Sequence, residues 1–121
     1  MKTLTLPLTK KWFDLIKAGI KKEEYREIKP HYISQFIKFE PLKKDVIEHY
    51  KIGFDEGEIN GMENDLLLLE YDKLVFTLGY PKADDTSRRL VFKNPKIRID
   101  YGKPEWGAEP NKLYFVITWE E

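Results

Sequence analysis

The sequence contains no cysteine, and this absence removes several chemistries at once. Without a thiol the chain can form no disulfide, no thiolate metal site and no cysteine nucleophile. Histidine is also scarce: His31 and His49 are the two in the chain, and neither has an acid or a histidine at ligand spacing on a shared face. We therefore expect neither a metal nor another cofactor. The lack of cysteine also suits a reducing cytoplasm.

Long apolar runs are missing as well. No stretch approaches the roughly 20 apolar residues that span a bilayer, and the start, MKTLTLPLTK, lacks the apolar core of a signal peptide. The 21 basic residues balance the 21 acidic ones, so the net charge attracts neither nucleic acid nor an anionic membrane. The sequence therefore predicts a cytoplasmic protein without a membrane partner. Any anionic ligand must be bound by a local basic patch.

The remaining composition is sufficient for one folded domain. The chain has 121 residues, of which 41% are hydrophobic and 14% aromatic, and this content argues against disorder. A chain of this length has room for one hydrophobic core and not for a second. We therefore interpret residues 1–121 as a single domain.

Charge is unevenly distributed along the chain. Seven carboxylates and no lysine or arginine lie between Asp55 and Asp72, so the segment around 53–72 is predicted to be an acidic loop or insertion. The stretch from Thr86 to Ile99 holds no acid and five basic residues: Arg88, Arg89, Lys93, Lys96 and Arg98. Such runs are most often solvated faces. The alternative is a basic strand pair that contacts phosphate groups.

The hydrophobic pattern predicts helices early in the chain and strands late. A strand at Leu4–Leu8 leads to a helix with Thr9 as its N-cap, and further helices are predicted in 31–39 and 43–54. Four segments rich in β-branched and aromatic residues are predicted to be strands: 73–80, 88–93, 96–101 and 113–119. The last is apolar nearly throughout and should be buried on both faces. This order predicts an α+β fold with a mostly antiparallel, strongly curved sheet.

The segment GIKKEEYR, residues 19–26, fits two different structures. Gly19 stands where a C-cap glycine would end the first helix. The apolar stripe of that helix, formed by Trp12, Leu15, Ile16 and Ile20, fails at Glu23 and Glu27. Lysine and glutamate are nevertheless good helix formers, so the same residues would be scored helical in isolation. The pattern alone leaves a helix and a strand equally open.

The same segment carries a motif. Gly19, Lys21, Glu24 and Arg26 form G-x-K-x-x-E-x-R, which resembles the motif of the ASCH domains, a branch of the PUA-like superfamily. The segments VFTLGY and GKPEWGAEPNKLYFVI further on look like small ASCH-like proteins of bacteria and their phages. The resemblance covers most of the chain apart from about 38–72. It implies a small curved β-barrel with helices packed at its rim, and a motif on a helix end that leads into a strand beside a cleft.

On this basis residues 23–28 are predicted to be a strand, and the motif side chains suit a polar, planar ligand. Lys21 is a compact ammonium, and Arg26 is a planar fork for phosphate or a base edge. Glu24 between them would stay ionised and could accept from an exocyclic amine, such as that of cytosine, or from a 2′-hydroxyl. The three converge only if Lys21 still lies in the turn. The alternative is a salt-bridge cluster that pins the strand to the helix.

Other residues are candidates for contact with nucleic acid. Trp106 in a surface loop and Tyr80 at a strand end could each stack on an unpaired base. Equally, Trp106 could cover the open end of the barrel, and Tyr80 could be an ordinary strand-end tyrosine. Arg88, Arg89 and Lys93 would contact the phosphate backbone.

Two functions fit these residues. The first is a binding module for RNA, other single-stranded nucleic acid or a modified nucleoside, which reads a single-stranded or flipped base in a PUA-like cleft. The second is a hydrolase of nucleoside amidohydrolase or ribonuclease type, with Lys21 and Glu24 as its catalytic residues. In the amidohydrolases that the chain resembles, a threonine nucleophile stands three residues after the motif lysine, where this sequence has Glu24. The sequence therefore favours binding and leaves turnover open.

Overall fold

The structure of the protein is a computed structural model that describes residues 2–37 and 68–121. The elements in these residues are, in chain order, β1 (Thr3–Leu8), α1 (Lys10–Lys17), β2 (Glu24–Glu27), α2 (Pro30–Phe36), β3 (Lys73–Leu78), β4 (Arg89–Tyr101) and β5 (Leu113–Glu120). The helix predicted over 43–54 and the greater part of the acidic segment, 53–67, lie outside the described residues. Neither α1 nor α2 is long and apolar enough to cross a membrane.

The strands form a five-stranded, mostly antiparallel sheet in the order β1-β3-β4-β5-β2. β1 runs parallel to β3, from Thr3 beside Lys73 to Leu8 beside Leu78, and β3 runs antiparallel to β4. Pro7 is accommodated because β1 stands at one end of this order, and an end strand tolerates a residue without an N–H. The predicted α+β class and the mostly antiparallel sheet are confirmed.

The first helix lies where the sequence predicts it. Thr9 occupies the N-cap position with extended backbone, and its carbonyl accepts the N–H of Phe13 at 3.0 Å, but its hydroxyl makes no capping hydrogen bond. Phe13 and Ile16 are buried on one side of α1. The helix therefore depends on this apolar face more than on its cap.

The two strands predicted at 88–93 and 96–101 form a single strand, so the prediction of a basic strand pair is wrong. Asn94 adopts a left-handed φ of 47°, and β4 continues through Asn94 and Pro95 instead of reversing. Asparagine is one of the few residues other than glycine that tolerate this conformation. The backbone N–H of Asn94 donates to the carbonyl of Asp72 at 3.1 Å, and its side-chain amide donates to Glu120 Oε2 at 3.0 Å.

The described chain divides into two compact units. The first contains residues 2–24, 70–96 and 118–121. Its buried residues come from β1, α1 and β3: Leu4, Leu6, Leu8, Phe13, Ile16, Leu74 and Phe76. Three aromatic rings also pack together in this unit, with centroid distances of 5.0 Å from Phe76 to Trp119 and 5.3 Å from Phe92 to Trp119.

The second unit contains residues 25–37, 68–69 and 97–117. Phe36 of α2 packs edge-on against Phe115 of β5, with ring centroids 5.1 Å apart. Leu68 forms an isolated bridge with Ile37, and the N–H of Leu69 donates to the carbonyl of Phe36 at 2.8 Å. In β5 the four consecutive residues 114–117 are all buried, which confirms that this strand is covered on both faces.

Candidate functional site

The chain leaves α1 through a turn that requires Gly19. Gly19 has a φ of 75°, a conformation that costs a residue with a Cβ about 1–2 kcal/mol. The N–H of Gly19 donates to the carbonyl of Ile16, and that of Ile20 donates to the carbonyl of Leu15, each at 3.0 Å. This pair of bonds is a Schellman motif. The N–H of Lys21 bonds to the same Leu15 carbonyl at 3.1 Å, so Lys21 still lies in the turn.

The segment 19–26 is therefore a turn followed by a strand, and not the tail of α1. β2 covers Glu24–Glu27, slightly less than the predicted 23–28. The helix propensity of the lysines and glutamates is overridden because Gly19 directs the backbone out of the helix. Lys21 in the turn was the geometric condition for the motif side chains to meet.

Lys21 and Glu24 form a buried ion pair within the first unit. Lys21 Nζ lies 2.8 Å from Glu24 Oε1. The two residues are 2% and 5% exposed, so the pair is almost entirely buried. At this distance the ammonium donates a charge-assisted hydrogen bond to the carboxylate.

Trp12 of α1 is the third member of this cluster, which we call the Lys21 site: Trp12, Lys21 and Glu24. Lys21 Nζ lies 4.2 Å from the centroid of the Trp12 ring, within the range of a cation–π contact. Trp12 is half-buried, so part of its side chain reaches solvent. The sequence predicted Trp12 only as part of an apolar stripe. The position of Gly19 after α1 could have indicated the contact between Trp12 and Lys21, because a Schellman turn directs the chain back along the helix.

Arg26 lies in the second unit, where its partner is Tyr32. Its Nη1 donates to the Tyr32 hydroxyl at 3.0 Å, and the guanidinium carbon lies 5.6 Å from the centroid of the Tyr32 ring. Of the three predicted motif side chains, the structure thus brings Lys21 and Glu24 into contact and bonds Arg26 to a residue of α2.

Tyr80 follows the end of β3 and is 94% exposed. Gly79 before it has a φ of 63°, and its N–H donates to the carbonyl of Leu8 at 3.0 Å. The Thr77 hydroxyl donates to the Gly79 carbonyl at 2.7 Å. The backbone that carries Tyr80 is therefore fixed on both sides of Gly79, while the ring projects into solvent.

The two adjacent arginines of the basic stretch hold the turn between β3 and β4. Arg88 Nε lies 3.3 Å from Asp85, and the hydroxyl of Ser87 donates to the same carboxylate at 2.6 Å. The Ser87 hydrogen bond holds the pKa of Asp85 below its usual range, and the charge of Arg88 lowers it further. Arg89 Nη2 donates to the carbonyl of Lys82 at 3.2 Å. Both guanidinium groups thus already have protein partners.

The loop that carries Trp106 is anchored by two tyrosine hydroxyls of the second unit. The N–H of Lys103 donates to Tyr25 Oη at 3.0 Å, and the N–H of Glu109 donates to Tyr114 Oη at 2.9 Å. Trp106 is half-buried, and Lys103 Nζ lies 4.5 Å from the centroid of its ring. The ring is therefore held in a defined position with a cation over it.

No group of three or more histidine, aspartate or glutamate side chains that could hold a metal occurs in residues 2–37 and 68–121. His31 is exposed and its ring packs edge-on against Tyr32, with centroids 4.8 Å apart. His49 lies outside the described residues.

Comparisons of the chain with protein-family models, with curated proteins and with solved structures find no match. The geometry of the Lys21 site and the residue pattern of the motif are therefore the features that indicate a function.

The role of Gly19 leads to a prediction. Gly19→Ala should destabilise the protein by about 1–2 kcal/mol, because alanine adopts a left-handed φ at that cost. A Cβ at Gly19 would have only an ordinary contact, 3.9 Å to Lys22 Nζ, so the loss would come from the backbone and not from a clash. Gly19→Asn should lower the free energy of unfolding by less, since asparagine tolerates this φ. Urea unfolding of the two variants measures the difference. Equal stability of the alanine and asparagine variants would contradict the assignment.

Proposed function

We propose that this chain is a PUA-like domain of ASCH type that binds a nucleobase, presented by single-stranded RNA or by a modified nucleoside. The observation that carries the proposal is the buried Lys21–Glu24 ion pair at two positions of G-x-K-x-x-E-x-R. Under this proposal the sheet belongs to a small curved barrel with helices at its rim, and the pair lines the cleft that receives the base.

The burial of the pair supports a binding role on energetic grounds. Removing two charges from water is unfavourable by several kcal/mol per ion, and the attraction between them often does no more than offset this. Well-packed apolar residues of similar size would serve stability as well or better. Ionisable groups kept in such surroundings are characteristic of functional sites. Ligand recognition therefore explains the buried pair better than a contribution to folding stability does.

The chemistry of the pair matches one edge of a nucleobase. An ammonium provides donors only, and a carboxylate provides acceptors only. The Watson–Crick edge of cytosine carries an amino donor beside ring acceptors, which is the complementary order. Lys21 and Glu24 present opposite hydrogen-bonding characters 2.8 Å apart, so they can bond to neighbouring atoms of one base. Modification of the amino group would alter the contact with Glu24 directly.

Aromatic and basic residues complete the proposed interface. Trp12 and Tyr80 provide rings for stacking in the first unit, where the Lys21 site lies. Trp106, in the second unit, is a separate candidate for stacking. Arg88, Arg89 and Lys93 are the candidates for phosphate contacts along a strand of RNA. In the second unit Arg26, whose Nη1 donates to the Tyr32 hydroxyl, is a separate candidate for a contact with the ligand.

The test is a titration with cytidine, N4-acetylcytidine and short oligoribonucleotides, followed by tryptophan fluorescence and by chromatography of the products. Saturable quenching that is lost in Trp12→Phe and kept in Trp106→Phe, without new products, supports base binding at the Lys21 site. Release of acetate or of shortened RNA would instead support the hydrolase, with Lys21 and Glu24 as its catalytic pair. No response to any compound would contradict both functions.

Tyr80 provides a separate prediction for oligonucleotides. Tyr80→Ala should weaken binding of a short oligoribonucleotide by about 1–3 kcal/mol, the contribution of one base stacked on an aromatic ring. Its melting temperature should not change, because the side chain is 94% exposed. Tyr80→Trp should bind at least as well as the wild type. Tyr101→Ala, at a tyrosine that is 43% exposed in the second unit, is the matched control and should bind normally. Equal weakening in both alanine variants would exclude a specific role for Tyr80.

A further inference from the structure

β3 and β4 place two lysines directly opposite each other in the first unit. Lys73 and Lys93 are partners in the antiparallel register, so both side chains leave the sheet on the same face. Their Cβ atoms are then about 4.5–5.5 Å apart, a spacing at which like charges lower stability. Lys73 is half-buried and Lys93 is exposed. Two positive charges therefore share one small region of surface.

Within residues 2–37 and 68–121 no carboxylate forms an ion pair with either lysine. The side chains of Lys73 and Lys93 form no ion pair or hydrogen bond with another described residue. Asp72 is the adjacent acid, and its Oδ2 accepts the backbone N–H of Lys2 at 2.8 Å. Two ammonium groups that form no ion pair with a described carboxylate can attract an anion.

The same lysines line a cleft of about 500 Å³. Its other lining residues are Asp72, Val91, Phe92 and Asn94. Val91 is 58% exposed and lies on the same face of the sheet as the two lysines, so part of the wall is apolar. The Phe92 side chain points to the opposite face, where its ring packs against Trp119. The volume falls in the range of roughly 300–1,000 Å³ that is usual for small-molecule sites, and it exceeds what a bare phosphate ion fills.

We propose that this cleft binds a phosphate ester, with the phosphate between Lys73 and Lys93 and the organic group against the exposed side chain of Val91. Lysine binds phosphate as a point charge, and two lysines on one face can neutralise its two negative charges. A nucleotide has this chemistry, either free or as one unit of a single strand.

The cleft shares no residue with the Lys21 site, so it is a second site beyond the proposed function. Its geometry also favours two lysines over the two arginines as the residues that bind phosphate. Arg88 and Arg89 are bonded to the turn between β3 and β4, whereas Lys73 and Lys93 have no such partner in the described part of the chain. Lys73 was not a candidate from the sequence, since nothing local pairs it with Lys93.

The test is a titration of the full-length protein with CMP at low ionic strength, followed by amide chemical shifts and calorimetry. The double variant Lys73→Gln/Lys93→Gln should bind CMP at least about tenfold more weakly, the loss expected for one charge-assisted hydrogen bond. Lys96→Gln removes the same kind of charge from β4 outside the cleft and should stay within about twofold of the wild type. Lys93→Arg keeps the charge and should retain binding.

Further ligands distinguish inorganic phosphate, a free nucleotide and a nucleic acid strand as the source of the phosphate group. Inorganic phosphate should bind more weakly than CMP, because it lacks a group to contact Val91. For a short oligocytidylate, the slope of log binding constant against log salt concentration should become shallower by about 0.7 for each lysine removed, if both lysines contact the strand. Cytidine should not bind at this cleft, so loss of CMP binding here is distinguishable from failure of the Lys21 site. Equal losses in Lys96→Gln and the double variant, or no shift with CMP, would overturn the proposal.

Discussion

Lys21→Met should lower the free energy of unfolding by about 3–5 kcal/mol, the usual effect of removing one partner from a buried ion pair. Glu24 is 5% exposed, so its carboxylate would stay out of water after losing the ammonium 2.8 Å away. The Trp12 ring would lose one of its two cation–π contacts with described residues at the same time, because Lys11 Nζ also lies 4.5 Å from its centroid. Urea unfolding followed by circular dichroism measures the stability, and the nucleoside titration measures binding. We expect both to fall.

A matched variant separates stability from binding. Lys21→Met/Glu24→Leu replaces the ion pair by apolar side chains of similar size, and such replacements are often neutral or stabilising. The double variant should therefore recover most of the stability lost in Lys21→Met while it still fails to bind a nucleoside. If the double variant is stable and binds normally, the Lys21 site is purely structural and the proposed function is wrong. A double variant as unstable as Lys21→Met would contradict the energetic argument.

Gly102→Ala should destabilise the protein by about 1–3 kcal/mol through overpacking in the second unit. A Cβ at Gly102 would lie 2.5 Å from the Cβ of Ala108 and 2.9 Å from ring atoms of Tyr25. Ala108 and Tyr25 pack together with Tyr114, whose hydroxyl anchors the Trp106 loop. Thermal unfolding measures the stability, and the emission of Trp106 shows whether the loop has moved.

The compensating change is Ala108→Gly, because it removes the nearest clashing atom. Gly102→Ala/Ala108→Gly should be more stable than the sum of the two single changes predicts, as expected for residues in contact. Strict additivity of the two changes would show that Gly102 and Ala108 do not meet as described. A Gly102→Ala protein with the melting temperature of the wild type would contradict the close packing itself.

The sequence was sufficient to predict the structure at places where a local signal determines it. Gly19 ends α1 because its left-handed φ serves the Schellman turn, and that role can be read from its place after the apolar stripe. The residues 114–117 are buried because they form a continuous apolar run. The Lys21–Glu24 contact was predictable only with the motif, since the pattern alone left the segment open between helix and strand.

The sequence was insufficient where distant residues or unusual backbone conformations decide the structure. Asparagine followed by proline is a turn signal, and nothing local indicates that Asn94 carries β4 onward instead of reversing it. The Trp12–Lys21 contact depends on the direction in which the turn folds. The pairing of Lys73 with Lys93 depends on the register of two strands, which is set by the whole sheet.

The left-handed Asn94 also fixes how β4 aligns with its neighbours. A slip of one residue would bring Pro95 or Lys93 into the position that requires a φ of 47°. Proline cannot adopt it, because its ring holds φ near about −65°, and lysine would adopt it only with strain. The backbone requirement at position 94 therefore disfavours shifted registers of β4. The backbone conformation of Asn94 thus favours one register of β4 against its neighbouring strands.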